Sequence, residues 1–432
     1  MRPGPQRLAD GKSDGKGLAR ARLEVLTALR ASDTGGGGGG GSRGGGGGGG
    51  RAKKSPRRVR GNLGANFSND YAGFSIPFEH WRPARIGLPQ RARDFDARFV
   101  RRREPVLIDP SRRSWFDGMD AEEAETETAA VLASGGGGAS PTPLAAMCAL
   151  LAWGVCGWSD EYLAARGGNE SVFVETKAPF TAGSELFSLW SHVEAMKFGA
   201  FVDRTLRAGA VRTAALRAGA PVSGAEPYAN LYLNIQGVRE DGKWLLLPPL
   251  AAFAADVSVP EFLGTWDLVS MHMWAGHSLV GAAPDDPTGS CSVLHADNFD
   301  NVIAVVRGRK RVLLVGPGDA DKLPTLGMLR RVRPVGTVEF HKGGVPQLKP
   351  HFTSLDVGGP ASNVSSRVPA GVRWAQVDVR AGEMLFMPAG WFHRVCSFGS
   401  HVAVNFWADP TRLERTYPEL GAGRGGGGAR YG

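Results

Sequence analysis

The chain has 432 residues, 42% of them hydrophobic, which is enough to bury one large core or two ordinary ones. Its formal charge of +9 sits in the first 60 residues, where 14 Lys/Arg meet four Asp/Glu; the rest holds 37 basic against 38 acidic side chains. A folded part this close to neutral does not require nucleic acid as a partner.

Two further classes are set aside on composition. The cysteines Cys148, Cys156, Cys291 and Cys396 are widely scattered and form no C-x-x-C pair, which argues against a disulfide scaffold and against a zinc finger. The longest apolar stretch, Leu144 to Trp158, covers 15 residues, short of the roughly 20 that span a bilayer. It reads as a buried helix, and no membrane partner is expected.

Residues 1–60 include two runs of seven glycines and few apolar side chains. They cannot offset an ordering cost of about 1–2 kcal/mol per residue, so a disordered basic tail is expected. The first residues show no apolar core of a secretory signal. Residues 15–30 could form the basic amphipathic helix of an organellar transit peptide, and RAKKSPRRVR at 51–60 a nuclear address. Cytoplasm or nucleus is the expected compartment, with an organelle left open.

An α+β part is expected over 61–227. In it, RRREPVLID at 101–109 leads into a strand, 121–134 is an acidic helix, 143–158 a buried helix and SVFVET at 171–176 a strand. From 228 to 410 short Val-, Leu-, Phe- and Trp-rich runs alternate with Gly, Pro and Asp turns. The runs lie at 229–236, 268–274, 292–297, 302–306, 309–315, 375–379, 384–387 and 402–407, with a tight hairpin turn expected at Arg307-Gly308. Eight such strands predict a mostly β fold, a double-stranded β-helix of jelly-roll or cupin type with helices flanking it on the N-terminal side. Residues 411–432 read as a flexible Gly-rich tail.

Chemistry concentrates in SVLHAD. On a strand, residues two apart share a face, so His295 and Asp297 project together, and His393 in GWFHRV is the candidate third ligand. Two imidazoles and one carboxylate on one face leave coordination positions open, which suits non-haem Fe(II) that must take up a cosubstrate and then O2. H-x-D by itself carries little weight. His80, His192, His272, His277, His341, His351 and His401 read as structural histidines, although His277 and His341 lie in loop-like segments that could touch substrate.

HADNFDNVIAVVRGRKRVLLVGP, GEMLFMPAGWFHRV and AVNFWADP together resemble the JmjC-domain, cupin-fold 2-oxoglutarate dioxygenases, specifically their small hydroxylase branch. The resemblance runs from about Arg101 to Asp409 and is densest from 228. It implies that His295, Asp297 and His393 hold iron and that Lys310 pairs with the distal carboxylate of 2-oxoglutarate. Arg309 and Arg311 would face the other way on the same strand. By the same resemblance Tyr232 reaches the cosubstrate, with Tyr228 as its rival. Asn301 and Asn405 stand near cosubstrate and metal, and Ser292 contacts the cosubstrate. Trp391 and Trp407 are expected as core or pocket wall.

The implied reaction consumes 2-oxoglutarate and O2, releases succinate and CO2, and hydroxylates a C–H bond. A protein side chain is the expected substrate, a modified RNA base the next. N-methyl-lysine demethylation, a catalytically silent JmjC-like binding module and a zinc hydrolase remain as alternatives. The segment between Gly316 and Ala375 is expected to form the substrate mouth, with Arg330, Arg331 and Arg333 favouring an acidic partner. Oligomeric state is not legible.

Overall fold

Leu231-Tyr232-Leu233-Asn234-Ile235 and Met271-His272-Met273-Trp274-Ala275 alternate side chains that gain from burial with side chains that hydrogen-bond. The fold sorts the two kinds onto opposite faces of one sheet. The structure is a computed structural model that describes residues 62–112, 141–176, 192–219, 231–240, 243–278, 290–341, 349–355, 357 and 367–416. The N-terminal tail, the acidic helix at 121–134 and Tyr228 lie outside the described residues.

In chain order the strands are β1 (Leu63–Asn69), β2 (Ala84–Ile86), β3 (Val106–Ile108), β4 (Ser171–Thr176), β5 (His192–Lys197), β6 (Leu231–Glu240), β7 (Lys243–Leu246) and β8 (Leu268–Ser278). They continue as β9 (Ser290–Cys291), β10 (His295–Ala296), β11 (Asp300–Val315), β12 (Leu329–Val332), β13 (Val338–Phe340), β14 (Trp374–Arg380), β15 (Met384–Met387) and β16 (Phe392–Ala408). The longer helices are α1 (Pro143–Leu151), α2 (Asp160–Gly167), α3 (Ala208–Arg217) and α4 (Thr411–Thr416).

Thirteen strands form one sheet in the order β2-β3-β15-β11-β16-β8-β6-β4-β5, with β9 and β10 added on β16, β14 on β11 and β7 on β6. The other sheet is β1-β12-β13. The large sheet thus takes strands from both sides of residue 228. β11 and β16 are its spine, 16 and 17 residues long, paired antiparallel from Asp300 opposite Ala408 to Val315 opposite Phe392. Each serves two neighbours in succession. β11 pairs first with β15 and then with β14, while β16 pairs first with β10 and β9 and then with β8. Strands shared in this way wrap the sheet over itself in the jelly-roll arrangement expected from the sequence.

The expected hairpin at Arg307-Gly308 is instead a bulge inside β11: the register shifts on both sides of Arg307, and Gly308 has φ +76°. A hairpin would fold the two halves of β11 onto each other, whereas both already have a continuous partner in β16. For the same reason the run expected at 402–407 begins much earlier, at Phe392. The buried helix expected to reach Trp158 stops at Leu151, where Ala152 turns left-handed at φ 51°. Its start is capped by Thr142 Oγ1, which accepts from the Ala145 amide at 3.3 Å, with Pro143 just inside. Residues 411–416, expected as the start of a tail, form α4, which inserts the fully buried Leu413 into the core, while 417–432 lie outside the described residues.

The largest core fills the face of the sheet turned toward the helical segments. Leu233, Met271, Met273, Val302, Val404 and Phe406 meet Phe95, Trp153, Phe198 and Phe253 there. Each such side chain contributes about 1.5–3 kcal/mol on burial. All four cysteines pair, Cys148 with Cys156 beside α1 and Cys291 with Cys396 across β9 and β16. This corrects the reading of scattered thiols: 105 residues separate Cys291 from Cys396, and only the sheet brings them together. Arg330, Arg331 and Arg333 pair with Glu339, Asp70 and Glu414, so the chain supplies acidic partners for this cluster itself. No helix among the described residues is long and apolar enough to cross a membrane.

A β-carbon at Gly308 would lie 2.6 Å from the Ser400 carbonyl oxygen, whereas one at Gly399 (φ +68°) would meet nothing within 4 Å. Gly399→Ala is therefore expected to cost about 1 kcal/mol for its left-handed backbone alone, and Gly308→Ala about 2 kcal/mol or more. Urea denaturation midpoints measure both, and equal losses would show that the bulge tolerates a side chain.

Candidate functional site

The site begins with a strand register. β10 lies antiparallel to the start of β16 with His295 opposite His393, which brings the two ring centroids to 4.4 Å. Asp297, two residues past His295, projects to the same side. Its Oδ2 lies 3.8 Å from His295 Nε2 and 3.5 Å from His393 Nε2. The three potential ligand atoms all fall within 4.8 Å of one another.

Both imidazoles are oriented from behind in the same way. His295 Nδ1 donates to the Val293 carbonyl at 2.7 Å and His393 Nδ1 to the Trp391 carbonyl at 2.9 Å, in each case two residues upstream. A carbonyl can only accept, so Nδ1 carries a proton in both rings and Nε2 is turned toward Asp297, as a lone pair when the ring is neutral and as an N–H donor to the carboxylate when it is protonated. Burial first, then the neighbouring His393, pulls His295 down to about 4. Burial pushes Asp297 up, but the His295 and His393 rings outweigh it and hold the carboxyl well below the usual range. Burial also pulls His393 down, yet its hydrogen bond to Asp297 and that carboxylate's charge bring the net shift upward. Two imidazole nitrogens and one ionised carboxylate aimed at one point, with His393 buried and His295 and Asp297 partly so, form a donor set that fits a divalent cation.

These residues line a cavity of about 310 Å³ that also reaches Lys310, Tyr232, Asn301, Asn405 and Ser292. Lys310, 1% exposed, stands opposite Ser397 on β16 and donates from Nζ to Ser397 Oγ at 2.8 Å, 5.9 Å from the centre of the Tyr232 ring. Arg309 and Arg311 point away, as expected, onto Asp378 and the Phe398 ring. Burial, aided by Glu175, pushes the Tyr232 hydroxyl above its ordinary value, while its hydrogen bond with Ser397 opposes the shift. Asn405 Nδ2 donates to Asn301 Oδ1 at 3.0 Å, which supplies the hydrogen bond a buried amide needs. Ser292 Oγ accepts from the Val395 amide at 3.0 Å and thereby holds the end of the β9 segment on β16. Trp391 is buried in the core and Trp407 lines the cavity.

Several residues at the site escaped the sequence reading. Ser397 carries the hydroxyl between Lys310 and Tyr232. His272 and His351, read as structural, line the cavity, and so do Asn234, Trp274, Lys349 and Phe352. The His272 ring lies 5.6 Å from Trp274 and 4.4 Å from Trp407. The alternation in SMHMWA, with Met271 and Met273 on the core side, is a signal by which His272 and Trp274 could have been found. His351 and Phe352 come from the segment after Gly316, which returns to pair along β10: the Ala296 amide donates to the His351 carbonyl at 3.1 Å. His277 and His341 do not line the cavity.

Such a jelly roll with two histidines and an aspartate on its inner face defines the class. The model of the cupin-like domain family matches residues 150–412, more than half of the chain, and the chain belongs to this cupin-like, JmjC-type family. Among curated proteins it is similar to the bifunctional peptidase and (3S)-lysyl hydroxylase JMJD7 of Homo sapiens, 31% identical over 154 residues. That match covers 33% of this chain and 47% of that protein. It is also similar to the lysine-specific demethylase JMJ31 of Arabidopsis thaliana (28% identical, 35% of this chain, 23% of that protein). With the tRNA wybutosine-synthesizing protein 5 of Gallus gallus it shares 34% identity over 26% of this chain and 29% of that protein. The chain thus spans less than half the length of each of these relatives.

As the metal-free protein is acidified, His393 is expected to take up its proton above the ordinary histidine value of about 6.5, while His295 stays neutral until about pH 4. The raised value makes the protonated His393–Asp297 pair stabilising below about pH 6.5, and that stabilisation is lost as pH rises through the folded-state value. Long-range proton–nitrogen NMR spectra of the imidazoles read both rings. Titration of both together near 6.5 would mean that neither ring is held against Asp297.

Proposed function

We propose that this protein is an Fe(II)- and 2-oxoglutarate-dependent dioxygenase that hydroxylates a C–H bond of a protein side chain. The observation that carries the reading is one cavity holding both the His295–Asp297–His393 cluster and the buried Lys310 ammonium. A metal hydrolase would use the cluster and have no role for the ammonium. An anionic keto acid has use for both.

In this reading His295, Asp297 and His393 hold the iron. Lys310 holds the distal carboxylate of 2-oxoglutarate as a compact point charge, with the Tyr232 and Ser397 hydroxyls beside it. The Asn301–Asn405 amide pair orients groups between the two ends, and Ser292, whose oxygen already accepts from Val395, has its O–H left to donate. Bound ferrous iron supplies the activation of O2, coupled to decarboxylation of 2-oxoglutarate to succinate and CO2. The chain's own contribution is to orient these partners and to keep bulk water from them, with Phe352, Trp274 and Trp407 as apolar wall.

A protein substrate is favoured over RNA by the balance of 37 basic against 38 acidic side chains beyond residue 60, which provides no net field for a polyanion. The similar human protein is named as a lysyl hydroxylase, which supports hydroxylation, while the demethylase among the relatives marks the same oxidation of an N-methyl carbon as the second reading.

Anaerobic addition of Fe(II) and 2-oxoglutarate is expected to produce a visible charge-transfer band that His295→Ala abolishes. In air the protein should form succinate. Lys310→Met should raise the KM for 2-oxoglutarate by roughly 30-fold or more, since truncating one partner of a buried charge pair costs about 2 kcal/mol or more. Absence of both band and succinate, or a KM untouched by Lys310→Met, would overturn the assignment.

A further inference from the structure

Outside the cavity, one buried charge pair touches both chain segments that carry the metal cluster. Arg103 is fully buried and has a left-handed backbone at φ 58°. Its Nη1 donates to Asp300 Oδ2 at 3.0 Å and its Nη2 to Asp300 Oδ1 at 2.5 Å, while Nε donates to the Val335 carbonyl at 2.9 Å. Asp300, 1% exposed, opens β11 only three residues past Asp297. Its Oδ1 also accepts from the Ala389 amide at 2.9 Å, four residues before His393.

The main chain of Arg103 reaches the same place by a second route. Its carbonyl accepts from Trp391 Nε1 at 3.1 Å, and the Trp391 carbonyl is the one that accepts from His393 Nδ1. Between these contacts the Gly390 amide donates to the Asp297 carbonyl at 2.7 Å. The turn is tight from the other side as well, since a β-carbon on Gly390 (φ +77°) would lie 1.7 Å from the Gly336 carbonyl oxygen. Arg103 therefore grips the Asp297 segment through Asp300 and the His393 segment through Trp391.

A buried ion pair is weak evidence for stability, because apolar side chains of similar volume in its place are often neutral or stabilising. What apolar side chains cannot reproduce is a bidentate fork that fixes two backbones at one spacing. We propose that Arg103 and Asp300 are positioning residues of the metal cluster: their ion pair sets the distance between the segment bearing Asp297, just before β11, and the turn that leads into His393 at the start of β16. The proposal rests on the reading of that cluster as a metal site.

Co(II) titrated into the full-length metal-free protein tests it, with the visible Co(II) spectrum and Kd read beside the urea midpoint of the metal-free form. Arg103→Met/Asp300→Leu is expected to unfold at a midpoint close to that of the original protein, yet to bind Co(II) about ten- to a hundredfold more weakly with an altered spectrum. Unchanged Kd and spectrum in that folded variant would overturn the proposal and leave the metal site standing. Arg103→Lys keeps the charge and replaces the fork by a single ammonium. It too must weaken Co(II) binding, and wild-type affinity there overturns the proposal even where the double variant does not fold. If the original protein takes up no Co(II), the metal reading fails first and the positioning role with it.

Discussion

The arrangement depends on holding an ionised carboxylate between two imidazoles in a largely enclosed site. The His295 and His393 rings hold Asp297 ionised because each turns Nε2 toward it, and the His393 ring can donate to it once protonated; the rings keep that orientation because their Nδ1 atoms are tied to the Val293 and Trp391 carbonyls. That condition reaches far into the fold. It needs β10 in one register against β16, which in turn needs β16 to run unbroken from Phe392 to Ala408 against β11. A one-residue slip would turn every inward side chain outward.

The long spine strands also explain how one sheet serves packing and chemistry together. Along β6, β8 and the second half of β16, Leu233, Met273 and Val404 face the helical core, while Asn234, Trp274 and Asn405 face the cavity. Stability is thus invested on one side of the sheet and polar chemistry on the other, so a change in the cavity need not disturb the core.

This division governs what was legible beforehand. The strands, the jelly roll and the shared face of His295 and Asp297 were readable because period-two alternation and the H-x-D spacing are local signals, whereas His393 was reached as a candidate partner and through the family resemblance. Lys310 was readable too, since its neighbours Arg309 and Arg311 had to face the other way. Ser397, His351 and the Cys291–Cys396 bridge were not, because each owes its place to pairing between segments far apart in the chain. The supposed hairpin at Gly308 failed for a related reason. A glycine with positive φ marks a bulge as well as a turn, and only the length of the partner strand distinguishes them.

Three polar systems bear on the site: the His–Asp–His cluster, the Lys310–Ser397–Tyr232 group and the buried Arg103–Asp300 pair. Each carries a desolvation cost that apolar side chains would avoid. The first two face the cavity, where a ligand can offset that cost. The third does not line the cavity, and its contacts are all with protein. Its retention is explained by what it joins, because the backbones on either side of it are those whose separation decides whether two imidazoles and a carboxylate converge on one point. Three groups drawn from two segments more than 90 residues apart in the chain gain nothing from being good donors individually unless something outside the cavity holds those backbones to one spacing.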